Sequence, residues 1–169
     1  MKNLVIVRGT MGAGKTATCR LLLPLLAPAA WLDGDWCWTM APFDPNEENR
    51  RMVMDNICCL LRNFLQNSGV ETVIFSWVLH QDAILDQLLE GLEPLPYRLL
   101  VCNLAPSPQA LEARLKEDIR RGLRQPDVLA RSLERLPLYR ELKGTAVDVS
   151  GISAAQAAKR IRELVYQKK

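Results

Sequence analysis

The feature that most constrains the fold of this chain is a glycine-rich segment near its start. Residues 9 to 16 read Gly-Thr-Met-Gly-Ala-Gly-Lys-Thr and match the complete pattern G-x-x-x-x-G-K-[ST]. The preceding run, Asn3-Leu-Val-Ile-Val7, is apolar and β-branched, which predicts a buried strand. The following segment, Ala17 to Leu26, lacks glycine and is rich in helix formers. Strand, glycine loop and helix in this order predict a phosphate-binding loop.

The chemistry expected of the loop follows from its residue types. Its glycines allow backbone conformations closed to bulkier residues, so that successive N–H groups can turn around phosphate oxygens. The helix beginning near Gly14 adds its positive end. Lys15 is expected to reach the β- and γ-phosphates, and the Thr16 hydroxyl to ligate Mg²⁺. The predicted nucleotide-binding residues are Gly9, Thr10, Met11, Gly12, Ala13, Gly14, Lys15, Thr16 and Ala17.

Length and composition bound what can surround this loop. The 169 residues suit one domain, residues 1–169, large enough for a five-stranded α/β core. Apolar residues make up 49% of the chain and aromatic residues 6%, which favours an aliphatic sheet covered by helices. No run approaches the ~20 apolar residues of a membrane span, and the first predicted strand begins at residue 3. We therefore expect a cytoplasmic protein that does not bind membranes.

The net charge of +3 is concentrated in one segment. Residues 112 to 143 contain nine Lys and Arg against six Asp and Glu, an excess that equals the surplus of the whole chain. Acidic residues interrupt this segment and no aromatic ladder accompanies it, so a nucleic-acid surface is disfavoured. A polyphosphate ligand matches the pattern better.

Strands and helices are predicted to alternate along the whole chain, which is typical of an α/β fold. After the first strand, we expect strands at Ala30 to Asp33, Glu71 to Val78, Tyr97 to Leu104 and Ala146 to Ser150. Between them we expect helices at Asn46 to Asn67, Gln81 to Leu92, Ser107 to Ile119, Pro126 to Leu142 and Ser153 to Tyr166.

Asp33 and Asp35 form a second cluster of chemistry-bearing residues, in the segment Trp31-Leu-Asp-Gly-Asp-Trp36. Ligands of parallel α/β sheets gather beyond the carboxyl ends of the strands, so both carboxylates should stand near the glycine loop. If the strand continues through Gly34, the two side chains lie on the same side. One can hold Mg²⁺ through water, and the other can accept a proton from a hydroxyl nucleophile. An Asp-Gly turn with two solvated acids is the alternative.

Several stretches, in order, resemble the shikimate kinase and gluconate kinase branch of the P-loop small-molecule kinases. The segment Leu32-Asp-Gly-Asp35 is similar to the Asp-x-Asp that follows strand two in that family. The segment 133–142, with Arg135 before Pro-Leu-Tyr, resembles a shikimate kinase helix, and Ala146-Val-Asp-Val-Ser150 resembles its final strand. The resemblance implies a three-layer α/β/α P-loop kinase fold with a five-stranded parallel sheet in the order 2-3-1-4-5. It also implies ATP and Mg²⁺ as cofactors and a short arginine-rich lid at about residues 120–127.

The resemblance also assigns roles by position. It implies that Asp33 assists Mg²⁺ near the substrate, and that Asp35 contacts the acceptor hydroxyl as the base. Arg135 would bind an acidic group of the acceptor, and Arg114 would lie against adenine. The predicted lid arginines, of which one or two should reach the transferred phosphate while the others are solvated charges, are Arg120, Arg121 and Arg124.

Departures from the family lie on the acceptor side. Shikimate kinases carry a glycine triplet at the end of strand three, where this chain has Ser76-Trp77-Val78, so Trp77 is predicted to line a different acceptor pocket. The segment Trp36 to Glu48 also differs and carries three aromatic residues, which indicates a more apolar or aromatic acceptor face. Arg50 and Arg51 would either contact an anionic acceptor or cap and solvate the start of a helix.

The function predicted from these observations is transfer of the γ-phosphoryl group of ATP to a hydroxyl of a small molecule, by a monomer or weak homodimer. A nucleoside or nucleotide kinase, an antibiotic phosphotransferase, and a nucleotide-binding regulatory protein without an acceptor are the alternatives. A GTPase is disfavoured because strand three ends in serine and the chain has no Asn-Lys-x-Asp. An ATPase of AAA type is disfavoured because one short domain leaves no room for a helical lid domain.

Overall fold

A parallel five-stranded sheet is the middle layer of the fold in a computed structural model that describes residues 1–167. The strand order is β2-β3-β1-β4-β5, as expected. The strands are β1 Lys2–Arg8, β2 Ala29–Asp33, β3 Thr72–Trp77, β4 Tyr97–Ala105 and β5 Thr145–Asp148. All four strand pairings are parallel, so the carboxyl ends of the strands meet along one edge of the sheet.

Helices cover both faces of this sheet, which confirms the three-layer α/β/α arrangement. They are α1 Lys15–Leu25, α2 Glu47–Gln66, α3 Asp82–Glu90, α4 Pro108–Arg120, α5 Val128–Arg135 and α6 Ala154–Gln167. Alternate residues of β1 belong to different cores, because side chains point to opposite faces of a strand. Leu4 and Ile6 pack with α2 and α3, whereas Val5 and Val7 pack with α1 and α6.

A smaller apolar cluster places α4 and α5 over the glycine loop. Leu111, Leu115, Val128 and Leu136 form this cluster, and Met11 of the loop packs against it. A side-chain carbon added at Gly12 would lie 2.6 Å from the Leu115 side chain, so only glycine permits this close approach. Among the described residues, no helix is long and apolar enough to cross a membrane.

The predicted helix from Pro126 to Leu142 is wrong in its extent. The α-helix α5 ends at Arg135, and a 3-10 helix continues from Leu136 to Arg140. Pro137 explains the change, because it has no N–H to donate and its ring clashes with the carbonyl four residues earlier in an α-helix.

The last strand is also shorter than predicted. It ends at Asp148, because the side chain of Asp148 accepts hydrogen bonds from the N–H and the hydroxyl of Ser150 and turns the chain away. The single domain over residues 1–169 stays a prediction, and its last two residues, Lys168 and Lys169, lie outside the described residues.

Candidate active site

The glycine loop joins the end of β1 to the start of α1 at the carboxyl edge of the sheet. Gly12 and Gly14 have φ angles of 80° and 97°, in the left-handed region that glycine adopts without a Cβ clash. Gly14 precedes α1, and its carbonyl accepts the first hydrogen bond of the helix from Thr18 N at 2.9 Å. The unpaired N–H groups at this helix start therefore face the loop, which is the geometry that binds phosphate.

Lys15 is buried and folds back onto the loop. Its Nζ donates to the carbonyl oxygens of Gly9 at 2.9 Å and Thr10 at 3.1 Å. Burial lowers the pKa of Lys15 to about 8, against the opposing effects of the Asp35 and Asp33 carboxylates. The ammonium is thus held on neutral carbonyls in a site that disfavours its charge, and a polyphosphate would compensate that charge.

Thr16 and Asp33 lie within hydrogen-bonding distance. The Thr16 hydroxyl donates to Asp33 Oδ2 at 3.1 Å, and Asp33 is only 3% exposed. Within residues 1–167, no group of three or more His, Cys, Asp or Glu side chains could hold a metal ion. The hydroxyl and carboxylate oxygens are nevertheless the ligands that Mg²⁺ takes alongside phosphates and water, so these two residues fit a magnesium site completed by a nucleotide.

Asp35 does not share a strand with Asp33, which corrects the sequence-based picture of two carboxylates on one strand side. Strand β2 ends at Asp33, and a 3-10 helix runs from Gly34 to Trp38. Asp33 Oδ1 caps this helix by accepting a hydrogen bond from Asp35 N at 3.2 Å. Gly34 permits the close approach of Trp77 at this turn, because a Cβ there would lie 2.5 Å from the Trp77 ring.

The environment of Asp35 favours its neutral form. Partial burial raises the pKa of Asp35, and the neighbouring Asp33 carboxylate raises it further, while Lys15 and a hydrogen bond from the Trp77 side chain act in the opposite direction. Part of the side chain stays accessible to solvent, and it lines a cavity beside the glycine loop. An accessible carboxylate with a raised pKa is a competent proton acceptor.

A cavity of about 600 Å³ opens from the glycine loop. Its wall combines residues 11–18 of the loop and α1 with Asp35 and with two arginines of the α4 region. Arg114 donates to Ala13 O at 3.4 Å and to Val149 O. Further lining residues that the sequence reading missed are Arg20, Asp118, Val149, Ile152, Ser153, Ala154 and Ala157. Most of them follow β5, and no sequence pattern marked that segment as part of a site.

Only Arg124 of the three predicted lid arginines lines this cavity among the described residues. Its Nε donates to Asp118 Oδ2 at 2.9 Å, and it lies close enough to Lys15 to influence its pKa. Arg120 is exposed and pairs with Glu117 at 2.7 Å, while Arg121 is exposed at the end of α4. Residues 121–127 form turns between α4 and α5, and their closure over a ligand stays a prediction.

The residues predicted to contact the acceptor do not share one cavity wall as the nucleotide-binding residues do. Arg50 and Arg51 are exposed on the first turn of α2, where Arg51 pairs with Glu47 at 3.3 Å. Trp77 is half-buried beside Gly34 and Asp35. Arg135 is exposed at the end of α5, and His80 lies near it, since burial and then the Arg135 charge lower the pKa of His80.

Strand three carries no acid at the position beside Asp33, where Ser76 pairs in the sheet register. Ser76 is fully buried, and its hydroxyl accepts a hydrogen bond from Trp31 Nε1 at 3.0 Å. A second acidic metal ligand from this strand is therefore replaced by a contact that holds β2 against β3.

The glycine loop, the Lys15 and Thr16 pair and the sheet order define the class of this chain as a P-loop protein with the P-loop kinase fold. A family model described as "AAA domain" matches residues 5–131, which is most of the chain, and the chain belongs to that family. The prediction against an AAA-type ATPase concerned activity and stays a prediction, because a domain family does not define one reaction.

Three solved structures illustrate the fold similarity. The tunicamycin resistance protein from Deinococcus radiodurans matches with a TM-score of 0.69 and 19% identity over 98% of this chain and 96% of that one. A gluconokinase from Sinorhizobium meliloti 1021 matches with a TM-score of 0.66 and 21% identity over 99% of this chain and 97% of that one. Shikimate kinase from Acinetobacter baumannii, in complex with shikimate, matches with a TM-score of 0.66 and 22% identity over 100% of this chain and 96% of that one. A comparison with curated protein sequences found no significant match.

Proposed function

We propose that this protein is an ATP-dependent kinase that transfers the γ-phosphoryl group to a hydroxyl of a small molecule. One observation carries the proposal: the phosphate loop and the Asp35 carboxylate line the same cavity. A protein that only binds a nucleotide needs the loop, whereas a kinase also needs a proton acceptor within reach of the γ-phosphate.

The nucleotide is held by the loop residues Gly9 to Ala17. Its phosphates take the place of the carbonyls of Gly9 and Thr10 as partners of the Lys15 ammonium, and the start of α1 supplies further N–H donors. Arg114 lies beside the adenine, in the cavity that it lines together with Val149 and Ser153. Arg124 is the best placed of the three lid arginines, because it lines the cavity. When the nucleotide binds, it exchanges its contact with Asp118 for one with the transferred phosphate.

Thr16 and Asp33 would hold Mg²⁺, one by its hydroxyl and the other through its carboxylate or a bound water. When bound, the ion would neutralise charge on the β- and γ-phosphates. Asp33 also caps the 3-10 helix that carries Asp35, so it fixes the position of the proposed base.

Asp35 accepts the proton of the acceptor hydroxyl as the phosphoryl group is transferred. The Trp77 side chain orients this carboxylate by a hydrogen bond, and partial burial strengthens it as a base. Arg135, Arg50 and Arg51 are the proposed contacts for an anionic part of the acceptor. All three are exposed, so they would contact the acceptor from the rim of the site.

The acceptor pocket differs from that expected for a small polar acid. Trp36 is 54% exposed and Phe43 65% exposed, and each belongs to an aromatic pair, Trp31 with Trp36 and Trp38 with Phe43, in the chain segment that includes Asp35. Exposed aromatic side chains favour an acceptor with an apolar or planar face. This supports an antibiotic phosphotransferase or a nucleoside kinase as the second candidate function. The similarity to a tunicamycin resistance protein is consistent with the former.

The proposed enzyme is cytoplasmic and monomeric or weakly dimeric, and its partners are ATP and the acceptor, without nucleic acid or membrane. Cell fractionation tests the location, and sedimentation tests the oligomeric state.

The experiment is a screen for ADP release from Mg-ATP with hydroxylated metabolites, nucleosides, aminoglycosides and phenicols. A true acceptor should raise ADP release above the acceptor-free rate and yield a phosphorylated product by mass spectrometry. The Asp35→Asn variant is the matched control and should bind ATP without this stimulation. Tight ATP binding with no stimulation by any acceptor would favour the nucleotide-binding regulatory protein and contradict the kinase.

A further inference from the structure

A fully buried arginine precedes the glycine loop. Arg8 is the last residue of β1, directly before Gly9, and is 0% exposed. A buried charge is costly unless it is paired and hydrogen-bonded, so a guanidinium at this position requires specific partners. The hydrophobic pattern predicts a strand before the loop but gives no role to Arg8.

Each nitrogen of the Arg8 guanidinium contacts a different element. Nη1 lies 2.9 Å from Asp82 Oδ1 at the start of α3, and Nε donates to Asn103 Oδ1 of β4 at 2.7 Å. Nη2 donates to the carbonyl oxygen of Lys143, in the turn before β5. The contacts to Asn103 and Lys143 are hydrogen bonds, and the contact to Asp82 is an ion pair. An arginine reaches three separate partners because its donors are spread over a planar fork, whereas the donors of a lysine share one nitrogen.

The main chain at Lys143 is held from both sides by these partners. Its N–H donates to Asp82 Oδ2 at 3.1 Å, and its carbonyl oxygen also accepts from Asn103 Nδ2 at 3.3 Å. Partial burial opposes the charge on Asp82, but the hydrogen bond from Lys143 N–H and the ion pair with Arg8 outweigh it and hold the pKa of Asp82 below its ordinary value. The turn is therefore tied to the strand that carries the glycine loop.

The loop after β3 is held by the same group of contacts. Leu79 has a φ of 36°, which is strained for a residue with a branched side chain and persists only where the surroundings enforce it. Asp82 fixes one end of this loop, and at the other end Tyr139 donates its hydroxyl to Val78 O at 2.6 Å. Tyr139 is the middle residue of the segment 135–143, so that segment is tied to the loop at its centre and to Arg8 at its last residue, Lys143.

We infer that Arg8 is a positioning residue that holds the acceptor-side wall, defined as residues 78–82 and 135–143, in place against the phosphate loop. The inference rests on the proposed function in naming this side of the site the acceptor side. Among the described residues that line the nucleotide cavity, none is Arg8, Asp82, Asn103 or Lys143. Weakening the Arg8 contacts should therefore impair the acceptor and leave the nucleotide unaffected.

Asp82→Asn is the test variant, because it keeps the size of the side chain but removes its charge and replaces one accepting oxygen with an N–H donor. Asp86→Asn is the matched control, the same substitution in the same helix outside the wall. It weakens the exposed pair of Asp86 with Lys143 Nζ at 3.0 Å and leaves the main-chain contacts of Lys143 intact. Arg8→Lys is a second test variant that keeps the charge but not the three-way geometry.

Three measurements on the full chain separate the outcomes: amide hydrogen exchange over residues 136–144, Mg-ADP affinity by calorimetry, and acceptor-dependent ADP release. Asp82→Asn should accelerate exchange in that segment about tenfold or more, while the Mg-ADP affinity stays within about twofold. It should lower acceptor-dependent kcat/KM about 10- to 100-fold, mainly through KM. Asp86→Asn should match the wild type in all three.

Unchanged exchange in residues 136–144 in both test variants would overturn the inference. An equal loss of Mg-ADP affinity would overturn it too, since Arg8 would then support the phosphate loop in general. If the wild type transfers no phosphoryl group to any acceptor, the proposed function fails. The exchange and Mg-ADP measurements still decide whether Arg8 holds the wall independently of the nucleotide site.

Discussion

On the nucleotide side of the proposed active site, consecutive residues from Gly9 to Thr18 supply the loop, its lysine, its hydroxyl and the start of a helix. The acceptor side instead takes residues from four separate segments: the 3-10 helix after β2, the first turn of α2, the loop after β3, and the end of α5. The nucleotide side keeps Lys15 buried and is held by short-range hydrogen bonds, whereas the acceptor side presents exposed arginines and aromatic rings.

The difference shows how two halves of one site can be constrained differently. A phosphate group is the same in every nucleotide, so one local backbone geometry serves it. An acceptor differs between enzymes, and it is bound by side chains that distant parts of the fold bring together. Each of the following predictions tests one side against the other.

The largest effect is expected for Asp35→Asn, on the boundary between the two sides. The amide keeps the size and polarity of the side chain but cannot accept the proton, so turnover should fall by about 10²- to 10⁴-fold while ATP affinity is retained. Steady-state turnover and calorimetry measure the two quantities. Asp33→Asn is the comparison and should mainly raise the Mg²⁺ concentration required. If both variants change only that requirement, Asp35 is a metal ligand and the division of roles is wrong.

A smaller loss is expected for Lys15→Met on the nucleotide side. The variant keeps the apolar stem but lacks the ammonium, so transfer should fall by about 10²- to 10³-fold. Thermal stability should not fall, because burial of Lys15 disfavours its charge in the absence of a ligand. Lys116→Met, which removes an exposed lysine paired with Glu112, is the control and should behave as wild type. Normal turnover by Lys15→Met would contradict the kinase proposal.

Nucleotide affinity should depend on pH through Lys15. Burial lowers the pKa of this residue to about 8 in the ligand-free protein, and bound phosphates favour the charged form and raise it again. Affinity should therefore be constant below about pH 8 and fall by about tenfold per pH unit above it, until the pKa of the bound state is reached. Calorimetry at a series of pH values, from about one unit below the ligand-free pKa to about one unit above it, measures the affinity for Mg-ADP. Lys15→Met should lose this dependence, and retention of it would assign the titration to another group.

The smallest effect is expected for Arg114→Ala at the adenine end of the cavity. Loss of a guanidinium stacked on a planar ring should weaken nucleotide affinity by about two- to fivefold and leave the acceptor KM unchanged. Arg51→Ala is the opposite control, because Arg51 is exposed and pairs only with Glu47 among the described residues. A larger effect of Arg114→Ala on the acceptor than on the nucleotide would move Arg114 to the other side of the site.

The sequence was sufficient to predict most of the fold. Apolar runs located all five strands, and the strand order implied by the family resemblance is the observed one. Errors occurred where a single residue changed the local geometry. Pro137 ended α5 earlier than predicted, and the Asp33 side chain, which caps the 3-10 helix, turned Asp35 out of the strand. Neither effect follows from hydrophobic periodicity, because periodicity reports which face is buried and not where hydrogen bonding stops.

The sequence by itself determined the phosphate loop, since the glycines, Lys15 and Thr16 act within a few residues of one another and need little from the rest of the chain. Only the tertiary structure decided which arginine enters the cavity and how Arg8 could be buried at all. Arg124 faces Lys15 while Arg120 pairs with Glu117 outside, and Arg8 meets partners that lie far away along the sequence. The position of a charged side chain depends on the nearest opposite charge and on the free-energy cost of losing solvent. Both depend on the packing of distant elements.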